Sequence, residues 1–286
     1  MHGRQLGILT AVIATLSTFS APAASLSPLI APAASTSIFI GARAQDESFA
    51  TVNSQTGPVK VTRLFYSGSL PKTFNRQGIP AGVKLIISYK TPDTGVAAYA
   101  KSIPAGQDVE LAYHHEPEGD YPSGATFVAE FNRQAGLIHA ANRAIPVAFI
   151  AGMYQYKSGL HGYDGSFIPT AQDRSYADSY LPTAALIVPA QTEVRLTRYR
   201  ALLASKGKTW DGFTEYGRGV IRDGAAFDQA VATKRASVIP IDAQWLATTQ
   251  ARVWAYWYTT DLGSGDQWRF TDAASLNAWR TVAAAH

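Results

Sequence analysis

Eight short runs of β-branched and aromatic residues, fairly evenly spaced and separated by helix-like or loop stretches, predict an α/β chain closed into a (β/α)8 TIM barrel. The runs cover residues 38–41, 61–66, 83–89, 109–115, 145–151, 176–180, 210–215 and 253–258. Some are apolar almost throughout, as in Ile145-Pro146-Val147-Ala148-Phe149-Ile150-Ala151. That is the pattern of a parallel strand covered on both faces. A second observation is helical periodicity between runs. Phe127, Phe131, Ala135 and Ile138 follow Ser123 and form one apolar stripe. A third is size. About 250 residues remain after the leader, enough for one barrel, and the absence of cysteine means that a large core must hold an exported chain.

Taken in order, the chain opens on a leader. Arg4 supplies a positive start, residues 6–19 are apolar, and Ala21-Pro22-Ala23-Ala24-Ser25 suits signal peptidase. Residues 1–24 are therefore expected to be a signal peptide, residues 25–36 a flexible Ala/Pro/Ser segment, and residues 37–286 one domain. The apolar run is shorter than the ~20 residues that span a bilayer, so no membrane association is expected after cleavage. The expected destination is extracellular, with retention at the cell wall left open. Connections after the first three runs are rich in Gly and Pro, which predicts short helices or loops there, with Gly78, Pro80 and Gly82 marking a turn. Later helices are predicted around Leu196, Tyr199 and Leu203, over residues 223–238, and from Thr271 onward with Asp272 in the first turn.

Charge excludes some functions. The formal net charge of +4 includes Arg4, and Lys and Arg are scattered, so no nucleic-acid partner is indicated. His114 and His115 are adjacent and would face opposite sides of a strand, a poor zinc pair, and His139 and His161 share no ligand spacing with them. Neither a Gly-x-Ser-x-Gly motif nor a phosphate-cradling glycine motif is present. No metal or other cofactor is expected, and a monomer is. The notable content is aromatic, 14 Tyr and 6 Trp, many of them at predicted strand ends, where rings can stack on sugars.

Two glutamates then stand out. Glu116 follows Tyr113-His114-His115 and precedes Pro117, and Glu215 lies in Phe213-Thr214-Glu215-Tyr216-Gly217. Each reads as the last residue of a strand, where barrels present catalytic side chains. Two such carboxylates suit glycoside hydrolysis, one protonating the leaving oxygen and the other attacking the anomeric carbon or activating water. Glu118 is a rival, but Pro117 is expected to end the strand and swing it into the loop.

His115-Glu116-Pro117, Thr214-Glu215-Tyr216-Gly217 and the aromatic run 254–258 resemble the clan A glycoside hydrolases, and within them a distant, short member of family 26, the β-mannanases. The resemblance implies a secreted, retaining enzyme acting on β-linked mannan- or glucan-like carbohydrate, with Glu116 as acid/base and Glu215 as nucleophile. It implies that His115 orients the substrate or the nucleophile and that Arg63 stands beside the nucleophile. Tyr180 could donate its hydroxyl to the same carboxylate, and Trp257 would floor the sugar site. Asp178 and Asp261 are candidate substrate hydrogen-bond partners, and Tyr154, with Tyr156, His161 and Tyr163, lies in a loop suited to further subsites. Two departures bear on mannan specificity. Pro117, Glu118 and Gly119 stand where the mannanase motif has apolar and aromatic residues, and the chain has little room for long cleft loops. The alternative function is a non-catalytic carbohydrate-binding or cell-surface protein on the same scaffold.

Overall fold

Strands with side chains of alternating direction dictate what fills the centre and what meets the helices. In the computed structural model, which describes residues 38–43, 47–181, 187–223, 226–259 and 266–286, the strands are β1 (Phe39–Arg43), β2 (Val61–Tyr66), β3 (Lys84–Tyr89), β4 (Val109–Tyr113), β5 (Val147–Gly152), β6 (Arg174–Leu181), β7 (Gly212–Arg218), β8 (Val220–Asp223), β9 (Ala226–Phe227), β10 (Val253–Trp257) and β11 (Asp266–Gln267). Eight of them form one parallel sheet in the order β1-β10-β7-β6-β5-β4-β3-β2. The ends meet where the Lys60 N–H donates to the Ile40 carbonyl at 2.8 Å, next to a Thr62 hydroxyl bond to the Ala42 carbonyl. The fold is the expected (β/α)8 barrel.

Inward positions make the barrel centre from Val61, Ile86, Ala112, Ala148, Ile150, Tyr176, Val253 and Ala255. Below them Lys84 pairs with Glu110 at 2.7 Å, and the Tyr176 hydroxyl donates to the same carboxylate. Outward residues pack under the helices α1 (Phe49–Thr56), α2 (Val96–Ser102), α3 (Gly124–Ala141), α4 (Val194–Ser205), α5 (Gln229–Leu246) and α6 (Ala273–Ala285). Ser123 caps α3 through the Thr126 N–H, and Phe127, Phe131, Ala135 and Ile138 are all buried. No α-helix lies between β2 and β3 or between β5 and β6.

Two helix starts differ from expectation. Residues 220–223 and 226–227 pair as a hairpin, so α5 begins at Gln229, capped by Asp228, and runs past Pro240 to Leu246. Asp272 is the cap of α6 rather than a first-turn residue, accepting from the Ser275 N–H at 2.7 Å. The expected leader lies outside the described residues. Among the described residues no helix is long and apolar enough to cross a membrane.

Barrel closure depends on Gly41. A Cβ there would stand 1.9 Å from the Val61 carbonyl oxygen, a backbone atom that cannot swing aside. Gly41→Ala is expected to lose about 3 kcal/mol or more in urea unfolding, because β1 can no longer lie against β2.

Candidate active site

Across the upper barrel one buried cation organises the acids. Arg63, on β2, points inward with 1% of its surface exposed. One Nη donates to Glu215 Oε1 at 2.6 Å and to Asp178 Oδ2 at 2.8 Å, while Nε donates to Ser88 Oγ. Thr214 donates its hydroxyl to the other Asp178 oxygen at 2.5 Å.

Strict alternation would send Thr214 and Glu215 to opposite faces. The pairing shows why it does not. Phe213 and Glu215 oppose the consecutive residues Ala177 and Asp178 on β6, so β7 carries one extra residue there, and its register with β10 shifts at the same place. Such a bulge re-aims side chains. Here Thr214 and Glu215 both reach the Arg63–Asp178 cluster, while Phe213 and Tyr216 pack against one another in the outer core. Glu215 is thus three residues before the end of β7, not at its tip.

Glu116, by contrast, lies off its strand, three residues beyond the end of β4. His114 and Glu116 both have left-handed backbones, with φ of 46° and 52°. Neighbours impose this conformation. The His114 ring bridges the Lys90 carbonyl and the Asp120 carboxylate, and the Glu116 N–H donates to the Ile150 carbonyl. The Glu116 carboxyl then lies over Gly152 at the end of β5, so closely that a Cβ on that glycine would sit 3.0 Å from Oε1. Burial, with the nearby negative charge of Asp178, pushes Glu116 up to about 8. Burial, with Arg63 adding to it, holds the His115 imidazole well below its usual range, so that ring is neutral.

Glu118 corrects the sequence expectation. It does not swing into the loop. Pro117 opens a short 3₁₀ turn that drives the side chain inward to 0% exposure, where Oε2 accepts from the Gly152 N–H at 3.4 Å and the Tyr156 hydroxyl adjoins. Burial pushes this carboxyl up to about 8 as well. Asp178 is fully buried, with its two oxygens bonded to Arg63 and Thr214.

Aromatic rings form the rim. Phe65 has its ring 4.5 Å from the Arg63 guanidinium carbon and makes edge contacts with His115 and Trp257. Tyr180 packs on Trp257 and on Trp268, which sequence reasoning missed. Gly217 makes room for that pair, since a Cβ there would lie 2.8 Å from each ring. Trp254, three residues before Trp257, faces the other way and packs on Trp279 of α6. Tyr154 is exposed on the turn after β5. Asp261 lies outside the described residues. The structure therefore brings together Glu215, Arg63, Asp178 and Glu116 as one electrostatic cluster, with His115, Trp257 and Tyr180 around its mouth. Among the described residues no group of acids and histidines could hold a metal.

No family model and no curated protein matches the chain. Solved structures do. A GH128 (subgroup I) endo-β-1,3-glucanase from Amycolatopsis mediterranei superposes with a TM-score of 0.54 at 14% identity, covering 86% of this chain and 100% of that one. An endo-1,4-β-mannanase from Rhizomucor miehei gives 0.51 at 12% identity, with 83% and 88% covered. An exo-β-1,4-mannosidase from an Opitutaceae bacterium gives 0.52 at 12% identity, with 81% of this chain and 53% of that one covered. At these identities the shared feature is the barrel.

Two substitutions test the electrostatics. Arg63→Met leaves Asp178 and Glu215 buried without their cation and is expected to cost about 3–5 kcal/mol in urea unfolding at pH 7. The loss should shrink at pH 4, where the abandoned carboxyls can take up protons. Glu118 behaves in the opposite sense. It keeps its proton in the fold up to about pH 8, whereas its ordinary value is 4.5. Its contribution to stability is therefore full below the ordinary value and is lost as the pH rises toward 8. Glu118→Gln, which cannot ionise, is expected to be more stable than wild type at pH 7 by on the order of 2 kcal/mol, and no more stable at pH 4.

Proposed function

We propose that the chain is a glycoside hydrolase that cleaves β-linked polysaccharide or oligosaccharide with retention. The observation that carries this is the contrast between two carboxyl groups that both act on Arg63. Glu215 has a guanidinium 2.6 Å from its oxygen, which favours the anion, while burial and a nearby negative charge push Glu116 up to about 8. Carboxyl groups driven toward opposite protonation states are what an acid and a nucleophile require. Glu215 attacks the anomeric carbon as the glycosidic C–O bond breaks, and the departing oxygen takes the proton of Glu116. The Glu116 carboxylate then accepts a proton from water, whose oxygen displaces Glu215 and restores both groups. The neutral His115 and the Phe65, Tyr180 and Trp257 rings offer a hydrogen-bonding edge and stacking faces for the sugar.

The barrel likeness to a β-1,3-glucanase and a β-1,4-mannanase supports β-glucan and β-mannan as the first substrates to try. Placement within family 26 rests on His115-Glu116-Pro117 and Thr214-Glu215-Tyr216-Gly217. The reading includes export, supported by Arg4, the apolar residues 6–19 and the small residues that follow.

The test measures reducing ends released from β-1,3-glucan, β-1,4-mannan and xylan by wild type, Glu116→Gln and Glu215→Gln. Wild-type release, reduced about a thousandfold in each variant, is the expected result. Activity should also fall as the pH rises through about 8, because the general acid is lost. Activity that survives both substitutions would overturn the assignment, and polysaccharide binding without release would leave a non-catalytic binding protein.

A further inference from the structure

At the opposite end of the barrel a groove of about 610 Å³ opens between α4 and the segments that lead into β7 and β10. That volume suits one or two sugar rings. Its wall holds an indole pair, Trp210 and Trp245, with centroids 5.5 Å apart and planes 25° apart. The Arg200 guanidinium carbon lies 5.3 and 5.2 Å from the two ring centres. Arg200 is half-buried, and none of the residues lining the groove is acidic. Burial alone lowers its proton affinity, with no carboxylate to offset the loss. Lys208 adds a second cation, already anchored on the Thr170 and Gln172 carbonyls, and the Thr248 and Thr249 side chains are at the edge.

The planar fork of a guanidinium offers five donors that match a carboxylate, and no acidic side chain lines this groove to take them. Here the chain supplies the cation and the flat rings and leaves the anion out. We propose that this groove is a second binding site, for a saccharide carrying a carboxylate, with the uronate group on Arg200 and the sugar ring against Trp245. Bidentate pairing fits a carboxylate to guanidinium, and an indole edge or face gives the pyranose an apolar surface. The site stands apart from the carboxyl pair. Trp210 precedes the first residue of β7, whereas Glu215 lies along that strand and Glu116 beyond the end of β4.

The experiment is calorimetric titration of the full chain, in low salt, with galacturonate trimer, neutral galactose trimer and inorganic phosphate, alongside indole fluorescence. The expected result is saturable binding of the galacturonate trimer at least tenfold tighter than that of either control, weakened about tenfold by Arg200→Gln. Trp245→Phe, which keeps a ring, should weaken it less, and Glu215→Gln should leave it unchanged, which separates this site from the proposed catalytic one. Equal binding of the neutral trimer would overturn the uronate assignment. Phosphate binding as tight as the trimer would reduce the groove to a simple anion site. Absence of binding at millimolar ligand, or unchanged binding in Arg200→Gln, would overturn the proposal altogether.

Discussion

The guanidinium of Arg63 is the interaction on which the upper barrel depends. It joins β2 to β6 and β7 across the interior, at a depth where water cannot screen it. Among the described residues Arg63 there faces two carboxylates, Asp178 and Glu215. Burial pushes Asp178 up despite Arg63, while Thr214 and the guanidinium oppose that shift by bonding to the charged form. Asp178 is felt further out, where its charge adds to the burial that keeps Glu116 protonated. The protonation state of the mouth is thus set first by burial and then by the charge beneath it.

Gly152 is the corresponding point on the other wall. Its N–H meets Glu118, and its missing Cβ leaves space for Glu116. Two carboxyl groups from one turn therefore converge on one glycine, from the backbone side and from the open side. Neither could do so without the left-handed residue at 116 and the 3₁₀ turn that begins at Pro117. The strain of that turn is held by bonds at both ends, through the His114 ring and through the Ile150 carbonyl. A loop so tied presents its glutamate in one place.

The barrel was legible in the sequence because parallel strands are buried on both faces, so their apolar runs stand out without any need for register. Helix starts were less legible where a polar residue could be read either way, as with Asp272, whose neighbours alone decide whether it caps or follows. Glu116 and Glu215 are visible in the sequence as residue types near strand ends, and Arg63 through the family resemblance. The bulge at Thr214 is not, since an extra residue leaves no mark in composition, and it decides that Glu215 faces inward at all. Glu118 departs from its expected place because Pro117 not only breaks the strand but also starts a tight turn. Trp268 could not be assigned from sequence because its contact with Tyr180 depends on a glycine one strand away.

The energetics of the mouth argue against a purely structural role. A carboxyl group retained for stability is ordinarily exposed, or paired so that its charge is favoured. Glu110 is ion-paired with Lys84 at 2.7 Å and accepts from the Tyr176 hydroxyl. The surroundings of Glu116 and Glu118 instead favour the proton over the charge. An apolar residue at either position would remove that cost, and a core formed from Phe127, Phe149 and Tyr199 shows that this chain has such residues to place. Two costly carboxyls beside an arginine-held third, in a protein without disulfides, are in keeping with the proton transfer proposed for Glu116.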